Sequence, residues 1–298
     1  MSDAANSRSQ VMLLCAGHGT RLRPLTSELP KPLVPLGDRP LLAHLTRQLV
    51  TAGVPRVALN AHHLSDKFTN LNNQLGIEAD VIIEHQILGT AGGVAGARTQ
   101  LSAPVLVWNG DILCRPPIAE LLAQRQPMTL LVAPREIGQG SVGLGVGGRV
   151  VRLRGEVFGR ELRGGDYVGI AVLGQQVLDD LPAQGCLIGD VALPRLRASL
   201  AVDSLGFAGE WSDLGSLERY LGANLEWLGG AASWIGAGAQ VADSVILERS
   251  LVGSGARVSG AGRLQRCVVW PGAAAQAPAS DCIFGRHFQV HVDALKAG

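Results

Sequence analysis

The residues best suited to chemistry lie near the start of the chain, in the stretch VMLLCAGHGTRLRPLTSELPKPLVPL from Val11 to Leu36. A short apolar run breaks into a glycine-rich turn, and Arg21 and Lys31 follow. Small residues let backbone N–H groups approach a polyphosphate, and cations at fixed positions can neutralise its charge. The stretch therefore predicts a phosphate-binding loop after a first buried strand, formed by Ala16, Gly17, Gly19 and Thr20.

Two common phosphate-binding motifs do not occur here. The chain has no Gly-x4-Gly-Lys-[Ser/Thr] string, and Leu22 stands where the dinucleotide fingerprint needs its third glycine. The stretch instead combines Gly, Thr, Arg, Pro and Lys-Pro at set spacings. It closely resembles the signature of the sugar-1-phosphate nucleotidyltransferases, G-x-G-T-R-L-x-P-L-T followed by P-K-P-L. The opening and the tail most resemble mannose-1-phosphate guanylyltransferase-like members of that family.

The resemblance implies a reaction and a set of charged residues. A sugar 1-phosphate and a nucleoside triphosphate (NTP) would give a nucleotide sugar and pyrophosphate, with GTP and mannose 1-phosphate as the first choice. Arg21 and Lys31 would be catalytic, and Asp111 and Asp213 would hold Mg²⁺. Asp111 follows Asn109-Gly110, and Asp213 lies in a Trp-x-Asp-x-Gly turn. Taken alone, each aspartate is more simply interpreted as an ordinary turn or cap residue.

Other segments partly match the family's nucleotide-binding and sugar-binding segments. The segment EHQILGTAGG resembles the family's base-side G-T-A-G segment, and it assigns Glu84, Gly89 and Thr90 to nucleotide binding. On the sugar side the expected residues are Asn109, Gly143, Gly169 and Asp190. Here Val142 and Tyr167 stand where relatives have Tyr and Asn, and Arg154-Gly155-Glu156 lacks the family's Lys-Pro. Arg154 is interpreted as a replacement for that cation.

The elements that must position these residues alternate between strands and helices. Strands are expected at 11–14, 57–60, 81–84, 105–108 and 167–173, and helices at 40–53, 65–75, 177–181, 191–200 and 217–228. This pattern predicts an α/β fold, a Rossmann-like, mostly parallel sheet sandwiched by helices. In such sheets ligands bind beyond the carboxyl ends of the strands, where the opening loop, Glu84 and Asp111 are expected.

From about Ser233 the composition changes: small residues dominate, and an aliphatic residue recurs every six positions. The register runs through Ile235, Val241 and Leu247, slips by one, and resumes at Val252, Val258, Leu264 and Trp270. A six-residue period is typical of a left-handed parallel β-helix. We therefore expect a catalytic domain over residues 1–228 and a short β-helix over 229–298. The alternative is a low-complexity Gly/Ala tail.

Composition limits the classes of function. The 298 residues are 47% hydrophobic and 17% charged, with a net charge of +1, so a broad nucleic-acid-binding surface is not expected. Residues 1–10 lack the apolar core of a signal peptide, no apolar run is long enough to span a membrane, and the five cysteines are widely spaced. A cytoplasmic protein fits these features best.

Three alternatives to the guanylyltransferase prediction stay open. They are a UTP- or dTTP-dependent enzyme for a glucose-type or N-acetylated sugar phosphate, a non-catalytic regulatory relative, and a hexapeptide-repeat acyltransferase. The tail is expected to join subunits into a homo-oligomer and to take no part in the chemistry. Apolar residues proposed for that contact are Ile246, Leu251, Val268, Val269 and Trp270.

Overall fold

The computed structural model describes residues 8–69 and 71–293, which divide into two units. The first unit contains residues 8–17 and 45–211, and the second contains residues 18–44 and 212–293. Residues 1–7, which form most of the polar N-terminal stretch, and residues 294–298 lie outside the described part. The functional boundary predicted at residue 228 stays a prediction.

The helical segments are mostly short. The α-helices are α1 (Leu25–Glu28), α2 (Leu41–Thr51), α3 (Asn72–Leu75), α4 (Gly89–Gly96), α5 (Ile118–Leu122), α6 (Gln175–Asp179), α7 (Leu193–Arg197) and α8 (Leu217–Trp227). A π-helical turn (Leu187–Ala192) leads into α7, and 3-10 turns occur at Thr20–Leu22, Lys31–Leu33, Ser65–Phe68, Arg98–Gln100 and Val146–Gly148.

The strands are numbered in chain order. The first fourteen are β1 (Ser9–Leu14), β2 (Pro35–Leu36), β3 (Arg39–Pro40), β4 (Arg56–Ala61), β5 (Glu78–Ile83), β6 (Leu101–Asn109), β7 (Ile112–Cys114), β8 (Met128–Arg135), β9 (Val142–Leu144), β10 (Val150–Leu153), β11 (Glu156–Val157), β12 (Arg163–Leu173), β13 (Asp203–Gly206) and β14 (Trp211–Asp213). The remaining nine are β15 (Ser233–Ile235), β16 (Gln240–Val241), β17 (Val245–Glu248), β18 (Ser250–Val252), β19 (Arg257–Gln265), β20 (Val268–Val269), β21 (Ala274–Ser280), β22 (Cys282–Phe284) and β23 (Gln289–His291).

The first unit is built on a ten-stranded sheet in which the order β11-β10-β9-β12-β6-β1-β4-β5 is extended by β8 and β13. β6, β1, β4 and β5 run parallel, whereas β12 pairs antiparallel with β6 and begins the second part of the sheet. Val94 of α4, Val177 of α6 and Leu193 of α7 pack with sheet residues such as Met12 and Val107 in one buried cluster. The predicted α/β class is confirmed.

One predicted helix of this unit is wrong. Residues 65–75 were expected to form a single helix, but the structure has a 3-10 turn at Ser65–Phe68 and a separate short α3. The chain leaves the helical region at Thr69, whose φ and ψ of −73° and 141° are extended. The Thr69 hydroxyl also donates to the carbonyl of Asp66 at 2.6 Å, which closes the turn locally. Residue 70 lies outside the described part.

The second unit ends in a stack of parallel coils. Ile235 pairs with Val252, Val241 with Val258 and Leu247 with Leu264, so that equivalent positions of the first two coils are seventeen residues apart. This pairing has the register expected from the aliphatic repeat and is compatible with the predicted β-helix, whose left hand stays a prediction. β23 pairs antiparallel with β22 and ends the stack as a hairpin.

Two details of the tail prediction are wrong. Val269, and not Trp270, pairs with Val252, so the step from Leu264 to the next repeat position is five residues and not six. Among the residues proposed for a subunit contact, only Ile246 is exposed, at 56%. The other four, Leu251, Val268, Val269 and Trp270, lie in the buried core that fills this unit. Because these four side chains are buried inside the coil, they cannot also form a contact with a partner subunit.

No helix in residues 8–69 and 71–293 combines the length and apolar character needed to cross a membrane.

Candidate active site

The carboxyl ends of three neighbouring strands of the first unit are joined by Asn60 and Glu84. Asn60, the penultimate residue of β4, accepts the N–H of Cys15 at 2.7 Å and donates to Glu84 Oε1 at 2.6 Å. Glu84 Oε2 accepts the N–H of Leu88 at 3.1 Å, and the Glu84 side chain is buried. Because both carboxylate oxygens already have partners within the chain, Glu84 holds the strand ends and the start of α4 together.

The glycine-rich helix α4 packs closely on this connection. A Cβ on Gly93 would come within 2.5 Å of Asn60 Nδ2 and 3.0 Å of Glu84 Oε1. Only glycine therefore lets the helix approach the strand ends so closely. This requirement gives the GTAGG string a structural reason in addition to its predicted role.

The start of α4 is tied to the loop before the π-helical turn. The Thr90 hydroxyl accepts the N–H of Leu187 at 2.7 Å, and the Ala91 N–H donates to the carbonyl of Gly185 at 2.9 Å. Gly89, in the left-handed region at a φ of +77°, would meet the same carbonyl at 2.4 Å if it carried a Cβ. Gly89 and Thr90 thus occupy the predicted base-side segment, where they also fix a neighbouring loop.

The end of β6 brings together Asn109 and Gly169, two residues predicted for the sugar side. Gly169 has a φ of +80°, and a Cβ there would come 3.0 Å from Asn109 Nδ2. Asp111 follows in the turn after β6. Burial raises the pKa of the Cys15 thiol, and the nearby charge of Asp111 raises it further. The residue before Asp111 lies against the end of β1, since the Gly110 N–H donates to the carbonyl of Leu14 at 2.9 Å.

Asp190 and Arg154 lie at a second corner of this unit. Asp190 Oδ2 accepts the N–H of Cys186 at 2.6 Å, and Arg154 Nη2 lies 3.4 Å from the Cys186 sulfur. Arg154 has a left-handed φ of +49°, an uncommon conformation for a residue with a side chain. Gly143 lies elsewhere, on β9, where it packs against the ion pair of Arg152 and Glu161.

Arg21, Lys31 and Asp213 converge in the second unit. Lys31 Nζ lies 3.4 Å from Asp213 Oδ1, and Arg21 Nη2 lies 3.8 Å from Asp213 Oδ2. The Lys31 side chain is 10% exposed, whereas that of Arg21 is 73% exposed. The structure thus brings one carboxylate and two cations together from positions about 180 residues apart in the sequence.

Two residues that the sequence analysis missed hold this cluster. The Thr26 hydroxyl donates to the carbonyl of Gly19 at 2.9 Å, and Gly19 is left-handed with a φ of +60°. Arg219 Nη1 donates to the carbonyl of Asp213 at 3.3 Å from the first turn of α8. Thr26 is part of the signature string, so the sequence could have indicated that it belongs to the cluster. No spacing in the sequence indicates Arg219.

The donors suit a hard cation that is only partly held by protein. No group of three or more His, Cys, Asp and Glu side chains within residues 8–69 and 71–293 is placed to hold a metal ion. Mg²⁺ is commonly bound by one or two protein carboxylates together with substrate phosphates, so the carboxylates of Asp111 in the first unit and of Asp213 in the second unit are each chemically suitable ligands. Members of the family that the opening motif resembles generally use a divalent metal.

Comparisons with known proteins agree with the signature. Residues 10–132 match the family model described as Nucleotidyl transferase. A mannose-1-phosphate guanyltransferase of Schizosaccharomyces pombe is 29% identical over 232 residues, which cover 71% of this chain and 62% of the relative. The catalytic subunit beta of a mannose-1-phosphate guanylyltransferase of Xenopus tropicalis is 40% identical over 120 residues, 38% of this chain and 33% of the relative. The chain thus spans less than two thirds of each of these relatives.

A solved structure supports the fold. The crystal structure of HddC from Yersinia pseudotuberculosis complexed with GMP-PN has a TM-score of 0.61 and 24% identity, over 74% of this chain and 99% of that chain. At this identity the likeness bears on architecture alone. The match of residues 10–132 to the Nucleotidyl transferase family model agrees with the resemblance that the opening motif shows.

Proposed function

We propose that this chain is a sugar-1-phosphate nucleotidyltransferase that makes a nucleotide sugar and pyrophosphate. The observation that carries the proposal is that Lys31 and Arg21, two cations of the signature stretch, lie 3.4 Å and 3.8 Å from the carboxylate of Asp213. Two cations beside one carboxylate can bind a triphosphate, because the cations neutralise the phosphate charge while the carboxylate keeps them in place when no substrate is bound.

The proposed reaction is a single in-line displacement. An oxygen of the sugar 1-phosphate forms a bond to the α-phosphorus of the NTP, and the bond between that phosphorus and the bridging oxygen breaks, releasing pyrophosphate. Lys31 is proposed to neutralise the charge that the two substrates bring to the α-phosphorus. Arg21, which is more exposed, is proposed to bind the departing phosphates. Catalysis then comes from orientation and charge stabilisation, without a covalent intermediate.

The cofactor that we propose is Mg²⁺, held by Asp111 and Asp213. When bound, it would supply positive charge between the reacting phosphates. Asp213 lies beside Lys31 and Arg21, and its negative charge offsets theirs in the free protein. Asp111 lies in the turn after β6.

GTP and mannose 1-phosphate are our first choice of substrates, because the curated relatives reported above are named for that activity. On the sugar side we propose Asn109, Gly169 and Asp190, with Gly143 in a supporting position. Arg154 is proposed to supply the cation that the missing Lys-Pro would carry. The position of Arg154 supports this role, because its guanidinium lies 3.4 Å from the sulfur of Cys186, whose backbone N–H is bound by Asp190.

The test is a pyrophosphate-release screen of ATP, GTP, UTP and dTTP against mannose, glucose and N-acetylglucosamine 1-phosphates. We expect release that depends on both substrates and is highest with GTP and mannose 1-phosphate. A preference for UTP or dTTP would keep the reaction class and change the substrate. Absence of release with every pair, from protein that binds an NTP, would favour a regulatory relative and contradict the proposal.

We further propose a homo-oligomer formed through the first coil of the tail, and a cytoplasmic location. Ile235 is 51% exposed, although its partner in the next coil, Val252, is fully buried. The first coil therefore leaves one end of the aliphatic column uncovered, and a second copy of the same surface can cover it by two-fold symmetry. The five free thiols fit a reducing compartment.

A further inference from the structure

The hairpin of β22 and β23 binds Glu28, which lies between the two halves of the signature and has no role in the proposed reaction. Glu28 is the last residue of α1. Its Oε2 accepts the backbone N–H of Arg286 at 3.1 Å, and its Oε1 accepts the backbone N–H of His287 at 2.6 Å. Hydrogen bonds to a carboxylate are about twice as strong as bonds between neutral groups. Glu28 therefore ties the tip of the last hairpin to α1.

A second path leads from the same hairpin to the same stretch of chain. Phe288 packs edge-on against Trp270, with 5.2 Å between the ring centroids. Trp270 Nε1 donates to the hydroxyl of Tyr220 at 2.9 Å, and that hydroxyl donates to the carbonyl of Pro35. We name residues 18–35 the phosphate segment. The hairpin contacts this segment at Glu28 through two hydrogen bonds, and it reaches Pro35 indirectly through the side chains of Trp270 and Tyr220.

The phosphate segment transmits this support to its cations. Thr26, in the same turn of helix as Glu28, holds the carbonyl of Gly19 two residues before Arg21. Gly19 also lies against Lys31, since a Cβ on it would come 3.3 Å from Lys31 Cβ. Prolines on both sides of Lys31 restrict the backbone there. A displacement of α1 would therefore displace both Lys31 and the turn before Arg21.

We propose that Glu28 is a positioning residue, which binds the β22–β23 hairpin and so holds Arg21 and Lys31 in place before the NTP arrives. The benefit would be preorganisation, because charges that are already fixed need no reordering during the reaction. The role in turnover rests on the proposed function, whereas the ordering of the phosphate segment by Glu28 does not.

The first test measures hydrogen exchange of the full chain and needs no substrate. Glu28→Ala removes both acceptors, and Glu28→Gln keeps one of them. Asp38→Asn is the matched control, because Asp38 is a carboxylate of the same unit whose hydrogen bonds go to the adjacent Arg39. We expect amides of residues 19–34 to exchange about tenfold faster in Glu28→Ala, less so in Glu28→Gln, and unchanged in Asp38→Asn. Unchanged exchange in a folded Glu28→Ala protein would overturn the proposal.

The second test compares substrates. We expect the KM for the NTP to rise about tenfold in Glu28→Ala and the KM for the sugar 1-phosphate to change less than twofold, because the residues proposed for the sugar belong to the first unit. Faster exchange with an unaltered KM for the NTP would refute the positioning role. If the wild-type chain releases no pyrophosphate, the proposed function fails while the exchange measurement still decides whether Glu28 orders the segment. If Glu28→Ala does not fold, Glu28→Gln takes its place in both tests.

Discussion

At the scale of single residues, the cation cluster around Asp213 combines a buried and an exposed partner. Lys31 is almost fully buried, and the Asp213 carboxylate beside it contributes to the balance of its charge. Arg21 is mostly exposed, and an ion pair of this kind contributes between about 0 and 1 kcal/mol to stability. The two cations should therefore respond differently to substitution.

Asp213→Asn keeps the shape of the side chain and removes its charge. We expect kcat for pyrophosphate release to fall by about 10²–10³, because charge stabilisation of the reacting phosphates is lost. Steady-state kinetics of the variant, with Asp38→Asn as the control, measure this effect. Wild-type kcat in a correctly folded Asp213→Asn protein would exclude Asp213 from the site.

Arg21→Ala and Arg21→Lys separate charge from geometry. Because Arg21 is exposed, we expect the free energy of unfolding to change by less than about 0.5 kcal/mol in both variants. Turnover should fall strongly in Arg21→Ala and also in Arg21→Lys, since lysine lacks the planar fork that binds two phosphate oxygens. Urea unfolding and titration with NTP measure the two quantities. Unaltered NTP binding and turnover in Arg21→Ala would show that Arg21 does not bind phosphate.

Removal of divalent ions tests the cofactor. Treatment with EDTA should abolish pyrophosphate release, and added Mg²⁺ should restore it, because both carboxylates are proposed to bind the ion together with the substrate phosphates. The Asp111→Asn variant should need a higher Mg²⁺ concentration for half-maximal activity. Full release in the presence of EDTA would contradict metal dependence.

At the scale of elements, Asn60 joins β1, β4 and β5, and its loss should destabilise the first unit. Asn60→Ala leaves the buried N–H of Cys15 and one Glu84 oxygen without the partner they have now. We expect a loss of about 3 kcal/mol in the free energy of unfolding, from two buried groups left unsatisfied. Thr129→Val is the control, because the buried Thr129 hydroxyl has no hydrogen-bond partner among the described residues. That change should be neutral or slightly stabilising, and an equal loss in both variants would refute the argument.

The sequence predicts the secondary-structure elements better than it predicts the long-range hydrogen bonds that join them. The strands and the signature are local patterns, and the aliphatic repeat predicts the pairing of the first two coils because each interior position carries one side chain. The bonds of Asn60 to Glu84 and of Glu28 to His287 join residues 24 and 259 positions apart. No periodicity indicates such pairs. The shortened step before Val269 was missed for a similar reason, since Trp270 continues the six-residue spacing by chance.

At the scale of the whole molecule, the tail and the phosphate segment share one core. Leu22, Leu25 and Val34 of the segment belong to the same buried cluster as Tyr220 of α8 and the coil interior. The sequence led us to expect a tail that assembles subunits and takes no part in the chemistry. The shared core shows that the coil packs against the segment that carries Arg21 and Lys31, so we expect the coil to support the conformation of that segment.

Truncation after residue 232 should therefore abolish activity as well as assembly. Leu22, Leu25 and Val34 would lose the coil side chains that bury them, at a cost of about 1.5–3 kcal/mol for each exposed side chain. We expect the truncated protein to lose NTP binding and to show increased exchange in residues 19–34. Calorimetric titration, hydrogen exchange and light scattering measure these effects. Truncated protein that retains turnover would show that the segment orders itself.

A point substitution separates assembly from support of the phosphate segment. Ile235→Asp puts a charge on the exposed end of the aliphatic column and leaves the deeper positions Val252 and Val258 in place. We expect it to convert an oligomer into monomers, because burying an unpaired carboxylate in a subunit contact is unfavourable. Exchange in residues 19–34 and the KM for the NTP should stay at wild-type values. Light scattering of the full chain decides the first point. A monomeric wild-type protein, or an oligomer that survives Ile235→Asp, would refute assembly through the first coil.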